Sequence, residues 1–261
     1  MKAYCLASSS HGNCYILEFD INGVPTRIMV ECGIPIKDIF SKMSALGMEI
    51  NTIKSCLITH AHGDHCHAAG NLNQFAIPIF GSIETINRLG FGNFMKPLAA
   101  TKVVDGIYAM TFPVEHDIDG AVGFVIKTKS ECVLFVNDHK RWTHDLRSLK
   151  PDYVFIECNY DHKVVYAQLH ELQKRKKTEI LTLEQLKDVN TKIAQHERNL
   201  NAHCSLHGTL YGLKKINLSN CKAIFLMHLS DRYANEYRMK NEVELKTQIA
   251  TYVCGKQGGI K

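Results

Sequence analysis

The segment Ser55-Cys-Leu-Ile-Thr-His60-Ala-His62-Gly-Asp64-His65 packs four side chains able to ligate a metal into six residues, directly after a short apolar run. Imidazole and carboxylate are donors that suit divalent metals, and on a tight loop alternate residues share a direction. His60 and His62 can therefore face one ion while Asp64 and His65 turn to a second. One loop cannot easily close two coordination shells, so further ligands must arrive from elsewhere. Groups of the right type stand at equivalent places: Glu31 follows Ile28–Val30, His116 follows Phe112–Val114, Asp138 follows Val133–Val136, Glu157 follows Val154–Ile156, and His228 follows Phe225–Met227. If these runs are strands lying side by side, their ends converge on one cleft. Histidines and aspartates that merely mark turns account for one or two such coincidences, not for the set.

The elements that must carry these groups are legible as short apolar runs. Ala3–Ala7, Tyr15–Phe19, Arg27–Val30, Ser55–Thr59, Ile77–Phe80, Tyr108–Val114, Val122–Ile126, Cys132–Val136, Tyr153–Ile156 and Ala223–Met227 have the length and the Val/Ile/Phe content of strands, many buried on both faces. Helices are expected from Pro35 through Leu46 and at Cys66–Gln74, Ser82–Arg88, Val164–Lys177, Thr182–Arg198 and Glu236–Lys246. This alternation predicts a layered α/β architecture. With no repeat, low-complexity tract or Pro/Gly-rich linker, residues 1–261 read as a single domain. Within it, residues 163–198 form a charged helical segment, expected as two helices with the Lys174–Lys177 run between them. Its eight basic and five acidic residues supply +3 of the net +5. Such a segment is either a solvated face or an electrostatic rim for a phosphate backbone.

Composition narrows the class. The chain is 45% hydrophobic and 22% charged, which excludes a disordered or fibrous protein, and no apolar run reaches the roughly 18 residues of a membrane span. The apolar patch Ala3–Ala7 is too short for a secretory core, so a cytoplasmic location is expected, without membrane attachment. Ten dispersed cysteines lacking a Cys-x-x-Cys pair read as buried, reduced thiols. Fourteen histidines are the informative excess.

His60-x-His62-x-Asp64-His65, followed in order by a His, an Asp and a final His, resembles the metallo-β-lactamase fold superfamily of dinuclear metallohydrolases. The resemblance implies a four-layered αβ/βα sandwich with its site at one edge of the two sheets. It also implies that His60, His62 and His116 bind one divalent ion, that Asp64, His65 and His228 bind another, and that Asp138 bridges them. Zn²⁺ suits this imidazole-rich set, while Mn²⁺, Fe²⁺ and Ni²⁺ accept the same donors. A narrower resemblance, to the YycJ/WalJ-like exonuclease branch, lies in Ser8-Ser9-Ser10-His11-Gly12-Asn13-Cys14, Glu157-Cys-Asn159-Tyr-Asp161 and His228-Leu-Ser230. The chain departs from these patterns at Glu31, at Asn137-Asp138-His139, at Arg232-Tyr233 and at Ala202-His203-Cys204-Ser205-Leu206.

The activity implied is hydrolysis of nucleic-acid phosphodiesters, DNA favoured, as a 5′-to-3′ exonuclease. Two ions lower the pKa of a water between them and polarise a phosphoryl oxygen. Asp64, Asp138 and His203 are the expected catalytic set, with His203 giving a proton to the departing 3′-oxygen. Ser8, Ser9, Ser10, Gly12 and Asn13 are expected to bind substrate, as a turn whose N–H groups and hydroxyls meet a phosphate. Glu31 and Glu157 are read as groups that orient ligand histidines, and His11, His67, His139 and His162 as donors near the motifs. Trp142 and Tyr160 are read as either packing or base-stacking residues. The rival functions are an RNA-processing nuclease, a hydrolase of a cyclic nucleotide, thioester or lactone, and a non-hydrolytic metal-binding module.

Overall fold

The first thirty residues alternate between two burial environments, which fixes an antiparallel meander with one face toward each. In the computed structural model, which describes residues 1–261, this meander is β1 (Lys2–Ser9), β2 (Gly12–Ile21) and β3 (Val24–Cys32). After it come α1 (Ile36–Ala45), β4 (Ile53–Leu57), α2 (Gly63–Cys66), α3 (Ala69–Gln74), β5 (Ile79–Gly81), α4 (Ile83–Leu89) and β6 (Asn93–Phe94). These six strands form one sheet in chain order, parallel from β3 onward.

The second sheet starts with β7 (Thr101–Val104), β8 (Ile107–Pro113), β9 (Val122–Lys127), β10 (Cys132–Val136) and β11 (Tyr153–Glu157). The chain then leaves it for α5 (His162–Thr178), α6 (Leu183–Ala202) and α7 (Leu206–Leu213), and returns through β12 (Ala223–Met227), α8 (Glu236–Thr247) and β13 (Thr251–Val253). The strand order is β13-β12-β11-β10-β9-β8-β7, with β10 to β13 parallel to one another.

Side-chain alternation sorts the core into layers. Ile28 and Val30 join Phe124, Phe135, Phe155 and Phe225 between the sheets, while Met29 between them points outward to Ile39, Met43 and Leu72 on the helices that cover the first sheet. In the second sheet Leu134, Ile156 and Leu226 face outward to Leu206, Leu213, Met239 and Val243 of α7 and α8. The result is helix, sheet, sheet, helix, the four-layered αβ/βα sandwich expected. All ten apolar runs lie in or overlap strands. No helix is long and apolar enough to cross a membrane, and all ten cysteines are free thiols.

Three details differ from the sequence reading. The helix expected at Cys66–Gln74 is two pieces, α2 and α3, and the first begins earlier, at Gly63. The Lys174–Lys177 run is the C-terminal part of α5, not a link between helices, because cations in a last turn complement the free carbonyls and dipole there. The edge strands β6, β7 and β13 and helix α7 were not anticipated. The strands are only two to four residues long, and α7 contains Gly208 and Gly212, which weaken the helical signal. Gly212 is needed for packing, since a Cβ there would lie 2.9 Å from the Trp142 ring.

Candidate metal centre

Strand direction brings the predicted ligands together. Because β9 is antiparallel to both β8 and β10, strands β8, β10, β11 and β12 run the same way, and His116, Asp138, Glu157 and His228 all emerge at their C-terminal ends. Opposite them the loop after β4 delivers His60 to His65. Two clusters of ligand atoms result, His60/His62/His116 and Asp64/His65/Asp138/His228, each with all atoms within 4.8 Å of one another. A third cluster, Asp138/Glu157/His203/His228, overlaps the second.

The His60–His65 loop is seated by backbone contact with β3. A Cβ on Gly33 would lie 1.6 Å from the Asp64 carbonyl oxygen, so only glycine allows the loop to rest there. Asn13 donates to the Ser9 carbonyl at 3.0 Å and stands 3.3 Å from His65 Nε2. Glu31, fully buried, reaches two histidines. Its Oε1 lies 3.2 Å from His65 Nδ1, and it accepts from the Thr59 hydroxyl, which in turn stands 2.9 Å from His60 Nδ1. Holding Nδ1 in this way leaves the opposite nitrogen of each ring to face the centre.

The second sheet repeats the device with Glu157. One oxygen lies 2.7 Å from His203 Nδ1 and 3.4 Å from His228 Nδ1; the other accepts from the backbone N–H of His139 at 2.7 Å and of Cys204 at 3.2 Å. His116 Nδ1 is held at 3.0 Å by the carbonyl of Ala202, the last residue of α6. Glu31, Asp138 and His228 have φ of 61°, 28° and 56°. Non-glycine residues rarely adopt this region, and here it turns each side chain out of its strand line toward the centre, a strain that surrounding packing must offset.

Electrostatics follow from burial and crowding. Burial, reinforced by the neighbouring His65 charge, pushes His60 well below the ordinary imidazole range, so it is neutral as a ligand must be. For His65 burial acts the same way, but Asp138 and Glu31 outweigh it and hold the ring well above that range. Burial alone would raise Asp138, yet His228 and His65 pull it well below the usual carboxylate value. Glu157 is brought down to about 2 against its burial, chiefly by His203. His203, opposed by burial, is carried up to about 9 by the Glu157 charge and hydrogen bond.

These residues fit divalent metal. Buried polar atoms ordinarily find a partner, yet Asp138 Oδ1, His116 Nε2 and His228 Nε2 have no hydrogen bond, and all three belong to the ligand clusters. Five imidazoles and two carboxylates from two sheets, with orienting partners behind them, form a donor set suited to such ions.

A cavity of about 400 Å³ opens over the clusters, lined by 12 residues of which none is hydrophobic. Asp64, Asp138, His203 and Ser10 all reach it. The remaining substrate candidates are placed otherwise. Ser8 is fully buried and its hydroxyl accepts from Tyr15 Oη at 2.7 Å and from the His228 N–H at 2.9 Å; Asn13 is fully buried beneath the metal loop. Both therefore position the site, which corrects the expectation that they face a ligand. The cause is register: Ser8 pairs with Asn13 and Ser9 with Gly12 in the β1–β2 ladder, so only Ser10 and His11 form the turn. Ser9 and Gly12 line another cavity, beyond the Ser10–His11 turn, and a Cβ on Gly12 would lie 2.3 Å from Ile34. Trp142 and Tyr160 are buried packing residues. His139 is buried beside Glu157 and His162 is the first residue of α5, after its N-cap Asp161, whereas His11 and His67 are exposed. Sequence reasoning missed Thr59, Asp117, Gln195, Arg198 and Asn199. Asp117 Oδ1 lies 3.1 Å from His116 Nε2. The last three line the cavity at i, i+3 and i+4 on α6, a helical spacing that was present in the sequence.

Residues 9–131 match the Metallo-beta-lactamase superfamily. Over the full chain the fold aligns with YhfI of Bacillus subtilis, a metallo-beta-lactamase fold protein, at TM-score 0.68 and 14% identity, covering 99% of this chain and 98% of that one. The chain has the metallo-β-lactamase fold. Zn²⁺-bound PqqB of Methylobacterium extorquens aligns at TM-score 0.66 and 13% identity over 100% and 99% of the two chains. In sequence, the exodeoxyribonuclease WalJ of Streptococcus pneumoniae is 25% identical over 127 residues, which are 44% of this chain and 46% of that protein. The match thus spans less than half of the curated relative's length. The matched segment supplies His60, His62, Asp64, His65 and His116 of the candidate metal-binding residues, and Asp138 and His228 come from beyond it.

Proposed function

We propose that this protein is a metal-dependent phosphodiesterase acting on nucleic acid, a 5′-to-3′ exonuclease on DNA, with a dinuclear centre. The observation that carries the reading is the pair of adjacent ligand clusters, with Asp138 Oδ2 3.8 Å from His116 Nε2, under a cavity lined by no hydrophobic residue. No hydrophobic residue stands there to receive the apolar acyl part of a thioester or lactone, whereas a nucleic-acid phosphodiester presents an anionic phosphoryl group flanked by polar sugars. The partial likeness to WalJ supports DNA as the polymer.

His60, His62 and His116 would hold one ion, Asp64, His65 and His228 the other, and Asp138 would lie between. The chemistry that Zn²⁺ or Mn²⁺ would supply when held there is a lowered pKa for a water and polarisation of a phosphoryl oxygen. The chain's own work is to place groups around that chemistry. Glu31 and Glu157 fix the ring orientation of His65, His60 (through Thr59) and His228. Glu157 holds the Nδ1 proton of His203, leaving His203 Nε2 as the proton donor to the departing 3′-oxygen. Ser10 and Arg198, on opposite walls, stand where phosphate oxygens enter, and Asp117 keeps the exposed Arg198 guanidinium turned inward at 3.7 Å. Because the ligands come from both sheets, this reading requires residues 1–261 to act as one domain.

The test is digestion of 5′- and 3′-labelled single- and double-stranded DNA and RNA by metal-reconstituted protein, beside the Asp64→Ala, His65→Ala double variant. Release of mononucleotide from the 5′ end of DNA, lost in the double variant, is expected. Equal digestion by the variant, or intact substrate with every metal tried, would overturn the reading.

A further inference from the structure

Three cavities adjoin along one face of the molecule. The one over the metal ligands shares Ser10, Gln195, Asn199 and His203 with a second of about 370 Å³, and the second shares His11 and Asp231 with a third of about 370 Å³. Together they form one groove that leaves the candidate centre, passes the Ser10–His11 turn and ends beyond the β1–β2 hairpin. Cations stand along its length. Arg232 is exposed, and its Nη1 donates to the Gln195 amide oxygen at 3.4 Å rather than to a carboxylate. Lys256 pairs with Asp231, and Lys42 Nζ donates to the Gln257 carbonyl at 2.5 Å. With Asp38 as the other acidic member, the second and third cavities carry three cations against two carboxylates.

A small phosphodiester would fill only the first cavity. A chain of cavities carrying cations and hydroxyls at intervals fits a linear polyanion, whose neighbouring phosphates repeat along a strand. We propose that this groove binds single-stranded nucleic acid, holding the phosphates next to the one at the metal centre, with Arg232 and Lys256 as their contacts. The proposal rests on the phosphodiesterase reading above and adds the path of the strand.

The experiment measures binding of fluorescent, nuclease-resistant phosphorothioate oligothymidylates to metal-loaded protein by anisotropy across a salt series. The oligomers are a dinucleotide and a strand of about twelve nucleotides, within the range of single-strand sites. The longer strand is expected to bind at least about tenfold tighter, with a steeper salt dependence. Arg232→Ala and Lys256→Gln should each weaken the longer strand about three- to tenfold and reduce the magnitude of its salt slope by about 0.7, without moving dinucleotide affinity. Equal affinity for the two lengths in the unaltered protein, or wild-type binding of the longer strand by both variants, would overturn the groove. Hydrolysis of bis(p-nitrophenyl) phosphate by the unaltered protein is scored in parallel. Its presence without a length effect removes the groove and leaves the hydrolase, and its absence with a length effect removes the hydrolase and leaves the groove.

Discussion

The two walls of the cavity are built in different ways. One wall is the edge of the sandwich, where Glu31, His60, His65, Asp138, Glu157 and His228 are all buried and rest on an inter-sheet core of 22 buried residues. The other is the end of α6, where Gln195, Arg198 and Asn199 face the same space. The α5–α6 hairpin rests on a cluster of three buried residues, Tyr160, Val165 and Tyr233, with Leu200 packed against it, and on the His196 ring, which lies 3.1 Å from Gln168 Oε1. Ligands that must hold ions to a fraction of an ångström are set in the stiffest part of the molecule. Groups facing a long, variable substrate sit on a part with little anchoring, where local opening is cheap. The walls are joined where His116 hydrogen-bonds the Ala202 carbonyl at the end of α6, where Glu157 meets His203, and where Asp117 pairs with Arg198.

If this contrast is correct, the largest effects come from the rigid wall. Gly33→Ala forces a Cβ against the Asp64 carbonyl, so the metal loop must move. A loss of about 1–3 kcal/mol in denaturant unfolding is expected, with metal content by mass spectrometry well below wild type; a wild-type metal content would show that the loop is not fixed by this contact. His203→Gln, at the junction of the walls, should lower kcat by about 10²–10⁴-fold with metal content intact. Glu31→Gln should weaken metal affinity by about 10–100-fold in a competition titration, and an unchanged affinity would deny Glu31 its orienting role. On the α6 wall Arg198→Ala should cost only a few-fold in KM for oligonucleotide and reduce the magnitude of the salt slope by about 0.7, with kcat little changed. A fall in kcat as large as that of His203→Gln would erase the distinction between the walls.

The smallest effect is one of pH on the metal-free protein. His203 is carried to about 9 in the folded state against about 6.5 when unfolded. A raised folded value contributes stability that is fully present below pH 6.5 and lost as pH climbs through 9. The melting temperature of metal-free protein should therefore fall over that interval, and His203→Gln should flatten the fall. A parallel decline in both proteins would assign the effect elsewhere.

Much of the centre was legible because its ligands follow recognisable runs. A buried strand of five or so residues announces itself by Val, Ile and Phe, and a His or Asp just beyond it is visible without coordinates. The Ser8–Asn13 stretch shows the limit. Residue types there read as donors for a phosphate, and pairing register alone decided that Ser8 and Asn13 point inward while Ser10 faces the cavity. The wall from α6 was equally hidden, since a charged helix face looks the same whether it meets water or a cleft.

By itself the sequence determined which side chains stand at strand ends and that strands and helices alternate, because burial selects residue type at a period of two or of 3.6. Tertiary structure decided which strand ends meet, which nitrogen of each imidazole faces the centre, and which wall carries cations toward a groove. Those outcomes depend on strand direction and on contacts between residues far apart in the chain, such as Gly33 with Asp64 and Glu157 with His203, and local preference carries no information about them.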